Sequence, residues 1–347
     1  MRIVFLLLFA LLLLSCSPKE PLYNTQSYVF GTLVDISIYG ETDERAQSVS
    51  NGIIQQYNAL HQRLHAWKPS ELSTINQAFA AGKSITIKSD IAQILRDAIA
   101  LSTQSEGAFN PAIGQLIKLW GFQNDTFIPH QVDESAVTAL VSKNAKMSDI
   151  VISGNKIHSN NPAVQLDLGG YAKGYALDIG LTYLKEQNIK HALINIGGNI
   201  IALGQHGDKP WRVGIQHPRQ PNAIATLALP SGWAIGTSGD YQRYFELDGQ
   251  RYCHVIDPNT GYPVQGMQSV TVLIPPQAQA GVLSDVASKP IFIAKANEQA
   301  KQANVAGIND FFIMAAQDNI QVSTSMQAKL NWLDTKAEKG AKVVNLE

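Results

Sequence analysis

The sequence predicts an α+β fold: a single domain of mixed β-sheets with helices packed on them around a ligand cleft. Three observations predict it. Alternating runs rich in β-branched and aromatic residues recur, as in Tyr28–Tyr39 and His191–Ile196. Amphipathic stretches of helical period stand between them, as in Glu44–Leu64. No repeat, low-complexity run or linker interrupts residues 28–335, so one domain is the economical reading, with a split near residue 205 left open. With 347 residues, 45% of them hydrophobic, the chain has ample material for a core. Its 27 basic and 28 acidic residues are scattered and leave a net charge of −1, which argues against a nucleic-acid surface but not against a local anion site.

The N-terminus reads as an address. Met1-Arg2 precedes the apolar run Ile3–Leu14, too short to span a bilayer comfortably, and Leu13-Leu14-Ser15-Cys16 resembles a bacterial lipobox. On that resemblance residues 1–15 are a lipoprotein signal peptide and Cys16 carries the lipid. Residues 16–27 are then a tether, 28–335 the folded domain and 336–347 a C-terminal tail. The protein is expected in the bacterial cell envelope, lipid-anchored and facing the periplasm; an uncleaved signal anchor is the alternative. Ser17, in place of an aspartate, hints at the outer membrane. Only Cys253 would then keep a free thiol, which leaves no internal disulfide.

The elements follow in order. Tyr28–Tyr39 is a strand, Glu44–Leu64 a helix with Val49, Ile53, Tyr57 and Leu60 on one face, and Ser70-Glu71-Leu72 opens a short helical turn ending near Asn76. Ser84–Lys88 is a strand, and Ser89 caps a helix with Ile91, Ile94, Leu95 and Ala98 at helical spacing. An apolar helix containing Ile113, Leu116 and Ile117 follows the loop Gly107–Pro111; Ser135–Ser142 is another helix, and Ile150–His158 is a hairpin turning at Gly154-Asn155. Ala163–Leu168 reads as a strand that meets Gly169-Gly170 and a helix starting near Tyr171. His191–Ile196, a strand running from Asn199 through Leu203, and Trp211–Gln216 come next; Trp233–Ile235 leads into a polar turn at Gly236–Asp240. Asp248-Gly249 joins a hairpin, Pro290 interrupts a helical run over Gly281–Ala294, and Asp318-Asn319 turns a last hairpin.

Chemistry concentrates on turns. A strand, a glycine pair and a helix N-terminus with Lys173 in its first turn suit an anion such as a pyrophosphate, with Asp167 placed for a polar ligand group or a metal; glycines present only for packing are the plainer reading. Gly197-Gly198-Asn199 and Gly236-Thr237-Ser238-Gly239 are further candidate contacts, or ordinary loops. His254 leaves a strand beside the Asp257-Pro258 turn, a position open to acid–base work or to a structural imidazole. Asp285 and Lys289 lie one helical turn apart, as an ion pair or as a charged pair facing phosphates.

Eight blocks in order resemble the FAD:protein FMN transferases, the ApbE-type flavin transferase lipoproteins: FGT at Phe30, Trp67 with Ser70-Glu71-Leu72 and Asn76, GAFNPAIGQLIKLWGF, LDLGGYAKGYALD, INIGGN, GTSGDYQRYF, HVIDPNTGYPV and SDVAS. The resemblance runs from about Tyr28 to Ala294. It implies that the FMN half of FAD moves to a Ser or Thr hydroxyl of an acceptor protein and AMP leaves. Implied acceptors are flavin-bearing subunits of the sodium-pumping NADH:quinone reductase, of Rnf-type complexes, or periplasmic flavin reductases. Carried over by motif, Phe30, Trp67, Ala108, Phe109, Asn110, Asp167, Lys173 and Ile256 would line the FAD site, with Trp67 stacking on a ring. His254 would help deprotonate the acceptor hydroxyl, and the Gly170 carbonyl with Asp285 would hold Mg²⁺.

The chain departs from that pattern at three places. Lys289 stands where the resemblance leads one to expect Thr; a protonated lysine cannot ligate Mg²⁺, so Lys289 is expected to replace the metal in part or whole and contact the pyrophosphate. Asn110 stands for Asp and Phe30 for Met. Two other readings compete: an FAD-binding lipoprotein without transfer activity, and an FAD pyrophosphatase giving FMN and AMP.

Overall fold

Nine strands build the main sheet, side by side in the order in which the chain reaches them. They are Leu22–Val29, Thr32–Tyr39, His191–Ile196, Asn199–Leu203, Ala234–Gly239, Met267–Ile274, Asp310–Ala315, Asn319–Ser323 and Lys342–Val344 in this computed structural model, which describes residues 21–124 and 126–346. Neighbours are antiparallel except the last pair. The expected signal peptide and Cys16 lie outside the described residues.

Two hairpins of the sheet turn on residue pairs in the left-handed region, Phe30-Gly31 (φ 57° and 72°) and Gly197-Gly198 (φ 55° and 92°), as the twist of two-residue hairpin turns demands. Tyr28–Tyr39 is therefore not one strand but the close of one and the whole of the next. Residues 22–27, read as tether, belong to the first strand, and 342–344, read as tail, pair in parallel with Asn319–Ser323.

Apolar side chains leave the sheet on both faces. On one face Val34, Ile36, Ile194, Val270 and Val272 pack against helices, among them Asp43–Arg63, Ser89–Gln104, Ala172–Glu186, Ala280–Val286 and Ser288–Ile293. On the other, Ala202, Leu273, Phe312 and Val322 meet Trp211, Ile215 and Leu227 of a smaller sheet formed by Trp211–Gln216, Ala223–Leu229 and Leu330–Trp332. The result is three layers around two apolar seams. A third cluster joins Leu116, Trp120, Phe122, Phe245 and Ile256 beneath the hairpin Tyr244–Leu247/Gln250–Cys253.

Several elements differ from the sequence reading. All eight residues of Met267–Ile274 are buried, the polar Gln268, Ser269 and Thr271 among them, so its polar positions mark no solvent face. Ala163–Leu168 is not a strand: it makes one bridge, Gln165 to Ile113, and its N–H groups go to the Ala112 and Pro111 carbonyls and to Asn76. Lys88, not Ser89, is the N-cap of its helix and makes no side-chain cap. The helix opened by Ser70, with a Ser70–Ser73 capping box, runs on to Ala80 because Ile75 and Phe79 are buried in the core.

The polar run Gly236–Gly239 lies inside the sheet rather than on a turn. Gly236 is there for space: a Cβ on it would stand 2.1 Å from the Ser284 carbonyl oxygen. Gly236→Ala should therefore lower stability by about 3 kcal/mol, because backbone crowds it on that side. Urea unfolding measures this; a wild-type midpoint would contradict the close approach.

Candidate active site

The site grows from a backbone contact between two helices. A Cβ on Gly174 would lie 2.4 Å from the Gly281 carbonyl oxygen, and one on Gly281 2.5 Å from the Gly174 oxygen, so Ala172–Glu186 and Ala280–Val286 meet with no side chain between them. Asp178 locks the joint, accepting from Gly281 N at 2.8 Å and Val282 N at 2.9 Å; burial raises its pKa to about 6 against those two donors. The joint delivers Asp285 to the first turn of the opposite helix. There it accepts from Gly174 N (3.1 Å), Lys289 Nζ (2.8 Å) and, more loosely, Lys173 Nζ (3.5 Å). Asp285 thereby takes one of the helix N-terminal donors expected for an external anion. Burial would raise its pKa, but the two ammoniums win and hold it well below the usual carboxylate range.

Lys289 is equally fixed. Its Nζ also donates to the Asp285 carbonyl at 2.5 Å, and its Cε lies where Gly170 has no side chain: a Cβ there would stand 2.6 Å away. Ser288 ties the same segment to the sheet through a hydroxyl contact with Ser238 at 2.7 Å. Lys173 Nζ reaches the Gly169 carbonyl at 3.3 Å. On the other side of the glycine turn, Asp167 accepts from Gly169 N (2.7 Å) and from Trp67 Nε1 (3.0 Å). The Asn76 amide clamps Leu166 with paired bonds to its N–H and carbonyl (2.7 and 2.9 Å). A cavity of about 620 Å³ borders Trp67, Asn76, Gln77 and Gln165, a size suited to a small-molecule ligand.

The charges of Lys173 and Lys289 also act on His254. Its Nδ1 lies 3.2 Å from the Arg243 carbonyl, which also accepts from His254 N at 3.0 Å. A carbonyl only accepts, so Nδ1 carries the proton and Nε2 keeps its lone pair. Burial, with Arg243, Lys173 and Lys289 adding, lowers the imidazole pKa to about 3. Arg243 is anchored by a bond to the Phe122 carbonyl (3.0 Å) and lies over the Phe127 ring. Upstream, buried Asp240 receives both prongs of Arg219 at 2.7 and 2.6 Å, fixing where the chain leaves the sheet toward His254.

The sequence profile of the ApbE family matches residues 30–312. A Haemophilus influenzae FAD:protein FMN transferase is 30% identical over 349 residues, covering 94% of this chain and 96% of that protein.

The chain belongs to the ApbE family.

A Rhodobacter capsulatus FAD:protein FMN transferase is 38% identical over 304 residues; the match takes in 87% of this chain but only 57% of that protein's length. Among solved structures, the ApbE protein of Thermotoga maritima superposes with a TM-score of 0.81 at 25% identity, covering 89% of this chain and 99% of that one. The flavin transferase ApbE of Vibrio cholerae gives 0.76 at 25% identity, with the same coverage.

In this ApbE-family chain Trp67, Asp167, Gly170, Lys173, Asp285 and Lys289 form one contiguous cluster, and His254 feels the charges of both lysines. Other expected site residues stand apart. Phe30 packs on Tyr57 and His61, although His61, His65 and Trp67 continue that row toward the cluster. Phe109 is buried in the main core and Ile256 in the third cluster. Beside Ala108, which is half-buried, Asn110 is turned away: it bonds the Ala145 carbonyl and Ala112 N, and lines a separate cavity of about 150 Å³. The sequence assigned no role to Asp178, Arg219 or Arg243, although Asp178 closes the block LDLGGYAKGYALD and Arg243 lies within GTSGDYQRYF.

The donors present do not fit Mg²⁺ at Gly170 and Asp285. The dication takes oxygen ligands in a near-octahedral shell, whereas the single carboxylate here already accepts on both oxygens and two ammoniums crowd it.

His254 should be a neutral, Nδ1-protonated imidazole from pH 8 down to pH 5. Nitrogen-detected NMR of the ring reads the tautomer directly; an Nε2-protonated or titrating ring in that range would contradict this geometry.

Proposed function

We propose that this protein transfers the FMN moiety of FAD to a Ser or Thr hydroxyl of an acceptor protein and releases AMP. The observation that carries the reading is the convergence of two ammoniums, Lys173 and Lys289, on a glycine turn beside a neutral imidazole. That constellation suits a diphosphate, and phosphoryl transfer asks of a protein mainly charge neutralisation and an oriented nucleophile. In this scheme the acceptor hydroxyl attacks the FMN-side phosphorus and gives its proton to His254 Nε2. The new P–O bond forms as the bond from that phosphorus to the bridging oxygen breaks, and the electron pair leaves with AMP. An anion beside His254 offsets the nearby positive charges, so bound FAD raises the imidazole pKa and makes it a better base in the complex than in the free protein. Asp167, bonded to Trp67 and Gly169, fixes the shape of the turn, while Trp67 offers a face to a ring.

Residues 1–16 support a lipid-anchored place in the cell envelope facing the periplasm, where the acceptor would be a flavin-bearing respiratory subunit of the sodium-pumping NADH:quinone reductase or Rnf type, or a periplasmic flavin reductase.

Incubation with FAD and an acceptor domain tests the reading by intact mass. The expected product is acceptor plus FMN, with AMP in equal amount, and His254→Ala should slow labelling about 10²- to 10⁴-fold while still binding FAD. Free FMN with AMP and an unlabelled acceptor would mean hydrolysis, and unchanged FAD would mean binding alone; either overturns transfer.

A further inference from the structure

We infer that Lys289 is the resident cation of this site, and that the reaction runs without a divalent metal. The inference deepens the transfer reading and rests on it for the nature of the ligand.

The geometry around Lys289 is that of a charge built in advance. An ammonium has three N–H groups; two are committed, to Oδ1 of Asp285 at 2.8 Å and to its carbonyl at 2.5 Å, leaving one for a ligand. The side chain is 17% exposed and lies against Gly170, where any Cβ would meet its Cε. Its backbone is pinned one residue earlier by Ser288, whose hydroxyl bonds Ser238 and the Asp285 carbonyl. The ammonium is thus held in place at little further entropic cost when a ligand arrives.

Around Asp285 itself, Lys173 and Lys289 bring two positive charges against its one negative, while Asp167 lies across the glycine turn on Gly169 N. A dication would have to displace Lys289 from the carboxylate. As the bond to the bridging oxygen breaks, negative charge grows on the departing AMP phosphate, and the remaining N–H of Lys289 is positioned to stabilise it.

The test uses the full protein treated with EDTA and passed over chelating resin. Transfer from FAD to an acceptor domain should be unchanged by chelation and by added Mg²⁺, and Mn²⁺ titrated into the protein–FAD complex should show no stoichiometric bound signal by electron paramagnetic resonance. Lys289→Ala should weaken FAD binding in EDTA about 10-fold or more, the worth of one hydrogen bond to a charged group, and its residual transfer should rise on adding Mg²⁺. Loss of wild-type transfer in EDTA with recovery in Mg²⁺ would overturn the inference, as would stoichiometric Mn²⁺. If no transfer occurs under any metal condition, the transfer reading fails, and FAD affinity in EDTA still judges Lys289: equal affinities of wild type and Lys289→Ala would sink its role.

Discussion

Asp285 is the constraint on which the site depends. A carboxylate taken out of water is tolerated only if its charge and lone pairs are answered, and here Lys289, Lys173 and Gly174 N–H answer them. The same contacts fix two ammoniums beside Gly169-Gly170. One buried acid therefore stabilises the helix joint and sets the spacing of the positive charges.

The fold exists around that acid at several levels. Gly174 and Gly281 remove the side chains that would hold the helices apart, and Gly236 lets the sheet come against the Ser284 carbonyl. These contacts work only if the strand beneath is immobile, which the fully buried Met267–Ile274 and its two antiparallel partners provide. The Arg219–Asp240 fork and the Arg243 anchor then direct the chain from the sheet edge to His254. The imidazole stays neutral because it is enclosed near three cations, the state a proton acceptor needs.

Much of this was written plainly in the sequence, and its gaps have physical causes. Helices with a clear apolar face, such as Asp43–Arg63 and Ser89–Gln104, and hairpins with Asp-Gly or Gly-Asn turns, such as those at Asp248 and Gly154, were readable because period and turn chemistry are local. Met267–Ile274 was passed over although Ser269-Val270-Thr271-Val272 alternates, and both of its faces prove to be buried. Gly236–Gly239 misled because glycine and hydroxyl residues mark turns, yet here they serve close packing in mid-sheet. Within the site, Asp167, Lys173, His254, Asp285 and Lys289 could be singled out by residue type and neighbourhood. Asp178 and Arg243 lie inside recognisable blocks but act on groups distant in sequence, Gly281 and the Phe122 carbonyl, so no local pattern announced their roles. Ile256 and Phe109 show the reverse limit: motif position drew them toward the cleft, and packing places their side chains in the interior.

The most direct measurement is a crystal structure of the protein with FAD bound in chelator-treated buffer. The diphosphate should lie above Gly169-Gly170, with the ammonium nitrogens of Lys173 and Lys289 at hydrogen-bond distance from its oxygens and His254 Nε2 facing the FMN-side phosphorus. A diphosphate seated away from both lysines, with the Asp285 pair unchanged and solvent between, would contradict this placement.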